Sequence, residues 1–419
     1  MTVFIKGGQR WGEVTVPASK SQAHRALILS ALGKTPVELY CRGLSRDIKA
    51  TVDCLNSLGA RITADGDKIS VIPLPRPFLG GGRVSLSCAE SGSTLRFLLP
   101  VAGMLGVNAE FLPKGRLYER PISPLDGVLS EHGAEAVRED GRIRLSGRLR
   151  PGDYRISGEV SSQYISGLLM ALPFMDGDSS LEITGKTESA GYIRMTEDML
   201  RLCGIAFEKS GRRYFIPGGQ TSRPESGMAI EGDYSSASFF LCMGALSDRG
   251  ITVRGLLKDS SQGDRQLLEI LKEFGAEVEI KEDGAVAVRK RELRGITLDA
   301  GQIPDIIPPI AALSSVACGR TVIKNASRLR IKESDRLSTT AGLLSSLGAR
   351  IQELDDGLII DGVKSLAGGT ASSCGDHRIA MTAALASLAC DGGITLLGAE
   401  DVNKSYPEFW RDFSGLSEG

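Results

Sequence analysis

The sequence is poor in aromatic side chains, 5% of 419 residues, and carries only three histidines, at positions 24, 132 and 377. So few and so scattered, these imidazoles give no support for a metal centre. His132, in Ser-Glu-His-Gly, is read as solvent-facing. Charge of one sign is not in excess either: 50 Lys and Arg against 51 Asp and Glu leave a formal charge of -1. No global field would hold this chain on nucleic acid or on an anionic membrane, so any binding of anions must be local. The most apolar stretches, such as Ile306 to Cys318, stop near a dozen residues and are interrupted by prolines or serines, short of the ~20 needed to span a bilayer. The opening Met1 to Lys6 reads as a strand rather than a signal peptide, and a soluble, cytoplasmic protein is expected. Eight cysteines lie at 41, 54, 88, 203, 242, 318, 374 and 390, too far apart for a metal knuckle or a redox pair. Reduced, mostly buried thiols are expected.

Several nucleotide and hydrolase motifs are also missing. Leu32-Gly33-Lys34-Thr35 resembles the tail of a P-loop, but the position that needs the earlier glycine is Ile28, so this segment reads as a turn. Gly80-Gly81-Gly82 lacks the spacing of a dinucleotide fingerprint and reads as a flexible loop. Gly-x-Ser-x-Gly does not occur. The basic run Arg289 to Arg294 reads as a solvated strand end or loop and is assigned no function.

What is present is an ordinary globular composition, 42% hydrophobic and 24% charged, with mean hydropathy -0.03. Its length favours two domains. Glycine is the one excess, 51 residues, and much of it is periodic. Five segments read as an amphipathic helix closed by glycine and followed by a strand: Leu55 to Gly59, Leu129 to Gly133, Leu200 to Gly204, Lys272 to Gly275 and Ser346 to Gly348. The glycines are 74, 71, 71 and 73 residues apart. Glycine there suits the left-handed position that ends a helix, so one structural unit recurs along the chain.

Each unit holds a second kind of helix, small and apolar on nearly every face: Ala26 to Leu32, Leu95 to Leu105, Ile165 to Met175, Ala237 to Leu246, Ile306 to Ala317 and Ile379 to Ala389. A helix apolar all round belongs inside a fold. Polar groups precede every run: Lys20-Ser21 with Arg25, Glu90 to Arg96, Ser161-Ser162-Gln163, Asp233 to Ser236, Pro304-Asp305 and Asp376-His377-Arg378. Ser and Asp are ordinary helix caps. Helix N-termini also gather anions, and here Lys and Arg are interleaved with the caps. Arg120, Lys332, Glu333, Arg336, Arg378 and Lys404 add to the pattern, which points to a ligand carrying several negative charges, held where six helix starts converge on one cleft.

These residues resemble the 5-enolpyruvylshikimate-3-phosphate synthases, the 3-phosphoshikimate 1-carboxyvinyltransferases. The resemblance runs along nearly the whole chain through Ala18 to Arg25, Ser91 to Arg96, Glu119 to Pro121, Ser161 to Gln163, Gly232 to Ser238, Gln262 to Asp264, Ile303 to Asp305, Arg330 to Arg336, Asp376 to Met381 and Lys404 to Pro407. It implies an α/β (α+β) fold, a two-domain inside-out α/β barrel with six βαβαββ-type repeats, three per domain. It divides the chain into residues 19–231 on one side and 1–18 with 232–419 on the other.

The implied reaction transfers the enolpyruvyl group of phosphoenolpyruvate to the 5-hydroxyl of shikimate 3-phosphate, with no cofactor and no metal. By the resemblance, Asp305 takes the hydroxyl proton, and Lys20 or Glu333 protonates the methylene carbon. Lys20, Gly92, Arg120, Gln163, Arg336, Arg378 and Lys404 match the phosphoenolpyruvate site. Lys20, Ser21, Arg25, Ser161, Ser162, Gln163, Ser189, Tyr192, Asp305 and Lys332 match the shikimate 3-phosphate site. Cleft closure on the first substrate and a monomeric, cytoplasmic enzyme with only small-molecule partners are implied as well. The pathway is aromatic amino acid biosynthesis, and glyphosate is the family's familiar inhibitor at the phosphoenolpyruvate pocket.

Glu90, Phe97 and Arg328 depart from the family pattern, and Glu90 and Arg328 are left out of the site. The sister transferase acting on UDP-N-acetylglucosamine carries Lys-Asn near its start and a reactive loop cysteine. Here Lys20-Ser21 and a cysteine-free Pro113 to Pro121 stand instead. A non-catalytic repeat scaffold would not explain Asp305 and Glu333 among basic residues. An RNA 3′-phosphate cyclase would call for a basic face that a charge of -1 does not supply.

Overall fold

The structure, a computed structural model, describes residues 1–75 and 83–419; the triple glycine at 80–82 lies outside the described residues. The chain divides into two compact units. One is Met1–Ser19 with Glu231–Gly419, and the other is Lys20–Ile230.

A single strand pattern recurs in both units. In the unit Lys20–Ile230, strand Val84–Ala89 leads into helix Gly92–Leu105 and then strand Ala109–Pro113, parallel to the first; helix Leu125–Glu131 leads to the antiparallel pair Ala134–Glu139 and Arg142–Gly147. The same βαβαββ order runs from Asp153–Ser157 to Arg213–Ile216. The third sheet takes its parallel edge strand, Met228–Ala229, from the far end of the unit and sets it beside Val37–Tyr40.

The other unit repeats the pattern from Thr297–Asp299 to Gly357–Asp361. Elsewhere in this unit the N-terminal segment completes the sheets. Strand Arg10–Thr15 pairs in parallel with Ile251–Arg254, and Thr2–Ile5 lies antiparallel to Ile394–Leu397. The sixth sheet has three strands, and Ser417–Glu418 adds a fifth strand at the edge of Arg10–Thr15.

All five periodic glycines sit in the left-handed region, with φ of 106, 95, 70, 97 and 98° at Gly59, Gly133, Gly204, Gly275 and Gly348. The helix Leu267–Phe274 shows why the period works. Leu267, Leu268, Ile270, Leu271 and Phe274 are all buried on one stripe, and Gly275 turns the chain away as its N–H bonds back to Lys272.

The apolar helices are the core, as their composition requires. Every residue of Tyr234–Leu246 except Ser235 is buried, and so is every residue of Ile307–Ser314 and His377–Ser387. Each Leu, Ile or Phe so enclosed contributes about 1.5–3 kcal/mol relative to exposure. The helices begin earlier than apolarity alone suggests: at Lys20, Gly92, Ser162, Tyr234 and His377, with the polar residues forming their first turns. Two end sooner. Helix Ser162–Ala171 tightens into a 3-10 turn at Leu172–Phe174, and Ile307–Ser314 stops before Val316.

His132 is half-buried rather than fully solvent-facing. Its ring stacks on Tyr154 with centroids 3.6 Å apart, and Nδ1 lies 2.9 Å from the Val128 carbonyl. The Tyr154 strand passes under this turn, and stacking covers one face of the ring. Six cysteines are buried, while Cys318 and Cys374 are exposed. No helix among the described residues is long and apolar enough to cross a membrane.

Candidate active site

In the unit Lys20–Ile230, three core helices open on a polar cluster. Ser91 caps helix Gly92–Leu105 by accepting from Thr94 N, and Ser161 caps Ser162–Ala171 by accepting from Gln163 N. Gln163 joins these two helix starts: its amide donates to Ser93 Oγ at 3.0 Å, and its carbonyl accepts from Arg96 Nη1 at 2.8 Å. Arg96 also donates to the Pro121 carbonyl at 3.1 Å. Gly92 stands between two guanidinium groups. A methyl group at its Cα would lie 2.8 Å from Arg96 Nη1 and 3.2 Å from Arg120 Nη1. The absence of a side chain there lets two cations face the helix start, as an anion site requires.

Lys20 Nζ forms an ion pair with Asp47 Oδ2 at 2.8 Å, and Asp47 is buried in the first turn of helix Arg46–Ser57. Arg25 is buried more deeply. Its guanidinium donates to Thr196 Oγ1 at 2.7 Å, Ser21 O at 2.5 Å, Ser166 Oγ at 3.2 Å and Tyr192 O at 2.8 Å. All four acceptors are neutral, and burial pushes Arg25 down to about 9, with Tyr192 opposing. Ser189 is buried in a left-handed conformation at the start of helix Ala190–Leu202, where its carbonyl accepts from Tyr192 N.

In the other unit, cations gather on one carboxylate. Asp305 lies in the 3-10 turn Pro304–Ile306, before the buried helix Ile307–Ser314. Its Oδ1 is 3.2 Å from Lys332 Nζ, 3.0 Å from Arg336 Nη1 and 3.6 Å from Arg378 Nε. Burial alone would raise Asp305, but Lys332, Arg378 and Arg336 outweigh it and hold the carboxyl well below the usual carboxylate range. Lys332 shows the opposite balance. Burial brings its ammonium down to about 8, against the attraction of Asp305, while Arg336 and Arg328 push the same way as burial.

Arg336 is 1% exposed and also meets Glu333 Oε2 at 2.5 Å and Asp376 Oδ2 at 2.9 Å. Burial would lower it, and these three acids more than reverse that. Asp376 caps helix His377–Ser387 through the Arg378 N–H. Lys404 is buried at the close of the 3-10 turn Ala399–Lys404, which packs on that helix.

Within its own unit, then, the structure brings Gly92, Arg120 and Gln163 together, sets Arg25 against Ser21 and Tyr192, and joins Asp305, Lys332, Glu333, Arg336 and Arg378. Four neighbours are not among the site residues assigned from the sequence: Asp47, Arg96, Asp264 and Asp376. Arg96, Asp264 and Asp376 lie inside segments that carry the family resemblance, so a signal existed. Asp47 had none beyond being acidic in a helix's first turn. Asp264 accepts from Ser235 Oγ, and its buried Oδ1 has no hydrogen-bond partner among the described residues. Glu90 is exposed and lies over Gly115.

Buried helices with polar, cation-rich starts, repeated in small mixed sheets, define an α/β enzyme that gathers small anions. The comparisons with known proteins identify which. The family model of EPSP synthase (3-phosphoshikimate 1-carboxyvinyltransferase) matches residues 6–413, and the chain belongs to that family. It is 43% identical over 407 residues to the 3-phosphoshikimate 1-carboxyvinyltransferase of Clostridium kluyveri, and 40% identical over 410 residues to that of Clostridium acetobutylicum. Each alignment covers 97% of this chain and 95% of the relative. Among solved structures, an EPSP synthase from Acinetobacter baumannii superposes with a TM-score of 0.81 at 25% identity, covering 100% of this chain and 99% of that one. The enolpyruvyl transferase NikO from Streptomyces tendae shares the fold at a TM-score of 0.79 and 18% identity, with 99% and 97% covered.

Proposed function

We propose how the side chains of this enzyme divide its reaction. The chain transfers the enolpyruvyl group of phosphoenolpyruvate to the 5-hydroxyl of shikimate 3-phosphate, releasing phosphate, in aromatic amino acid biosynthesis. Joining the hydroxyl oxygen to the enol carbon requires a base at the hydroxyl and an acid at the methylene carbon. Expelling phosphate afterwards reverses the proton movement at that carbon.

Asp305 is the base. Glu333 or Lys20 is the acid. Arg336, Arg378, Lys404, Lys20 and Arg120 hold phosphoenolpyruvate and stabilise the departing phosphate, with Gly92 and Gln163 beside them. Ser161 and Ser162, at a helix start, take the phosphate of the other substrate with Ser21, Arg25, Gln163, Ser189, Tyr192 and Lys332.

What carries this reading is Asp305 Oδ1 within reach of Lys332, Arg336 and Arg378. A carboxylate so surrounded is a weak base until substrate anions draw those cations away, so the assignment ties proton transfer to occupancy of the site. The enzyme is taken as a cytoplasmic monomer acting on small molecules.

Phosphate release tests the acceptor directly. With phosphoenolpyruvate supplied, phosphate is expected with shikimate 3-phosphate and not with UDP-N-acetylglucosamine. Release with only the sugar nucleotide would overturn the reading.

A further inference from the structure

Arg336 is held by three carboxylates that are not equivalent. Asp376 is fully buried and grips one edge of the guanidinium, with Nε on Oδ2 at 2.9 Å and Nη2 on Oδ1 at 3.3 Å. The rest of this carboxylate is also committed. Ser334 Oγ donates to Oδ2 at 3.0 Å, and the Arg378 backbone N–H donates to Oδ1 at 2.9 Å. Four donors from three residues therefore fix Asp376, and it cannot leave without stranding a buried charge. Asp305 and Glu333 differ. They meet only the Nη atoms, at 3.0 and 2.5 Å, and each side chain is 16% exposed. An anion arriving from solvent can replace these two and cannot replace Asp376.

We propose that Asp376 is a positioning residue for the transfer. It is the permanent partner that holds Arg336 and the first turn carrying Arg378 in place, so that the carboxylate of phosphoenolpyruvate takes over the Nη atoms now shared by Asp305 and Glu333. The inference rests on the assignment of Arg336 to phosphoenolpyruvate. One consequence is timing: Asp305, the base assigned to the hydroxyl, and Glu333, one of the two groups offered as the acid, are both released from the arginine when phosphoenolpyruvate binds. Another is geometric. A single carboxylate sets the distance between two arginines that come from different helices, Arg336–Ser346 and His377–Ser387.

The test is a cycle of Asp376→Asn, Arg336→Lys and the double variant. Asparagine keeps the shape and can still accept from the Arg378 N–H, but it loses the charge that holds the guanidinium. Loss of a charge-assisted bond is expected to raise KM for phosphoenolpyruvate about 10- to 100-fold. The Kd for shikimate 3-phosphate alone should change less than about twofold, and the thermal midpoint should stay within a few degrees. Because Asp376 acts through Arg336, the double variant should be no worse than Arg336→Lys.

Additive losses, an unchanged KM in Asp376→Asn, or equal losses for both substrates would overturn the proposal. An unchanged KM in Arg336→Lys would instead remove the underlying assignment of that arginine. Should Asp376→Asn not fold, Ser334→Ala removes one donor and leaves the charge; a rise in KM for phosphoenolpyruvate alone, about threefold, supports the proposal, and no rise counts against it.

Discussion

Asp305 shows how far single residues can be read. Its place after Pro304, at the start of an apolar run, marks it as a site residue, and the resemblance assigns it to the hydroxyl proton. Its three cationic neighbours come from other segments, two of them 27 and 31 residues away. If it is the base, Asp305→Ala should bind shikimate 3-phosphate nearly normally while kcat falls by about 10²–10⁴-fold. Near-normal turnover in a steady-state assay would end that role.

Asp264 gives a pH prediction of opposite character. Burial, and then the charge of Asp305, push its carboxyl up to about 7. The folded chain therefore holds this proton more tightly than the unfolded chain does, where the ordinary value is about 4. Between these values the native state binds more protons, so the contribution of Asp264 to stability declines as pH rises from about 4 to about 7. Asp264→Asn cannot ionise. Relative to the parent, its thermal midpoint should rise across that interval, and parallel midpoint curves would refute the shift. Neither Asp264 nor Asp376 could be weighed from sequence, because burial and neighbouring charge decide their behaviour and both are properties of the fold.

At the scale of elements the sequence is most legible. Apolarity on all faces identifies the core helices, and the glycine period identifies the outer ones, because both signals are local. The identical turns are nevertheless not energetically identical. Gly275 has φ of 97°, and an added Cβ would lie 2.5 Å from the Glu292 carbonyl oxygen. Gly204 has φ of 70°, and the nearest heavy atom to its Cβ, from Arg223, is 3.9 Å away. The left-handed conformation costs a non-glycine residue about 1–2 kcal/mol. Gly204→Ala should therefore lose about 1 kcal/mol, and Gly275→Ala should lose more, above about 2 kcal/mol, because backbone must move. Denaturant unfolding measures both, and equal losses would show that the collision relaxes freely. Helix starts are less legible than helix interiors. Lys20, Ser162 and His377 belong to first turns because capping bonds and tertiary contacts, not apolarity, set where a helix begins.

For the whole molecule, the arrangement of the chain makes the two units unlike each other. All strands of the three sheets in Lys20–Ile230 come from that segment. Expressed alone, it should unfold cooperatively in urea, with far-UV and near-UV signals changing together. A gradual, non-coincident loss would refute its independence. Residues 231–419 alone should fail the same test, because strand Arg10–Thr15 sits between Ile251–Arg254 and Ser417–Glu418 in their sheet.

By itself the sequence determined the repeat, the interior helices and the residue types that open them, since these follow from side-chain polarity and helical period over a few turns. Only the tertiary structure decided that Arg10–Thr15 pairs with a strand beyond residue 250, that Lys20 finds Asp47, and that Asp376 grips Arg336. Backbone hydrogen bonds between strands are chemically alike at every register, and ion pairs form wherever packing brings charges close, so neither carries a local code.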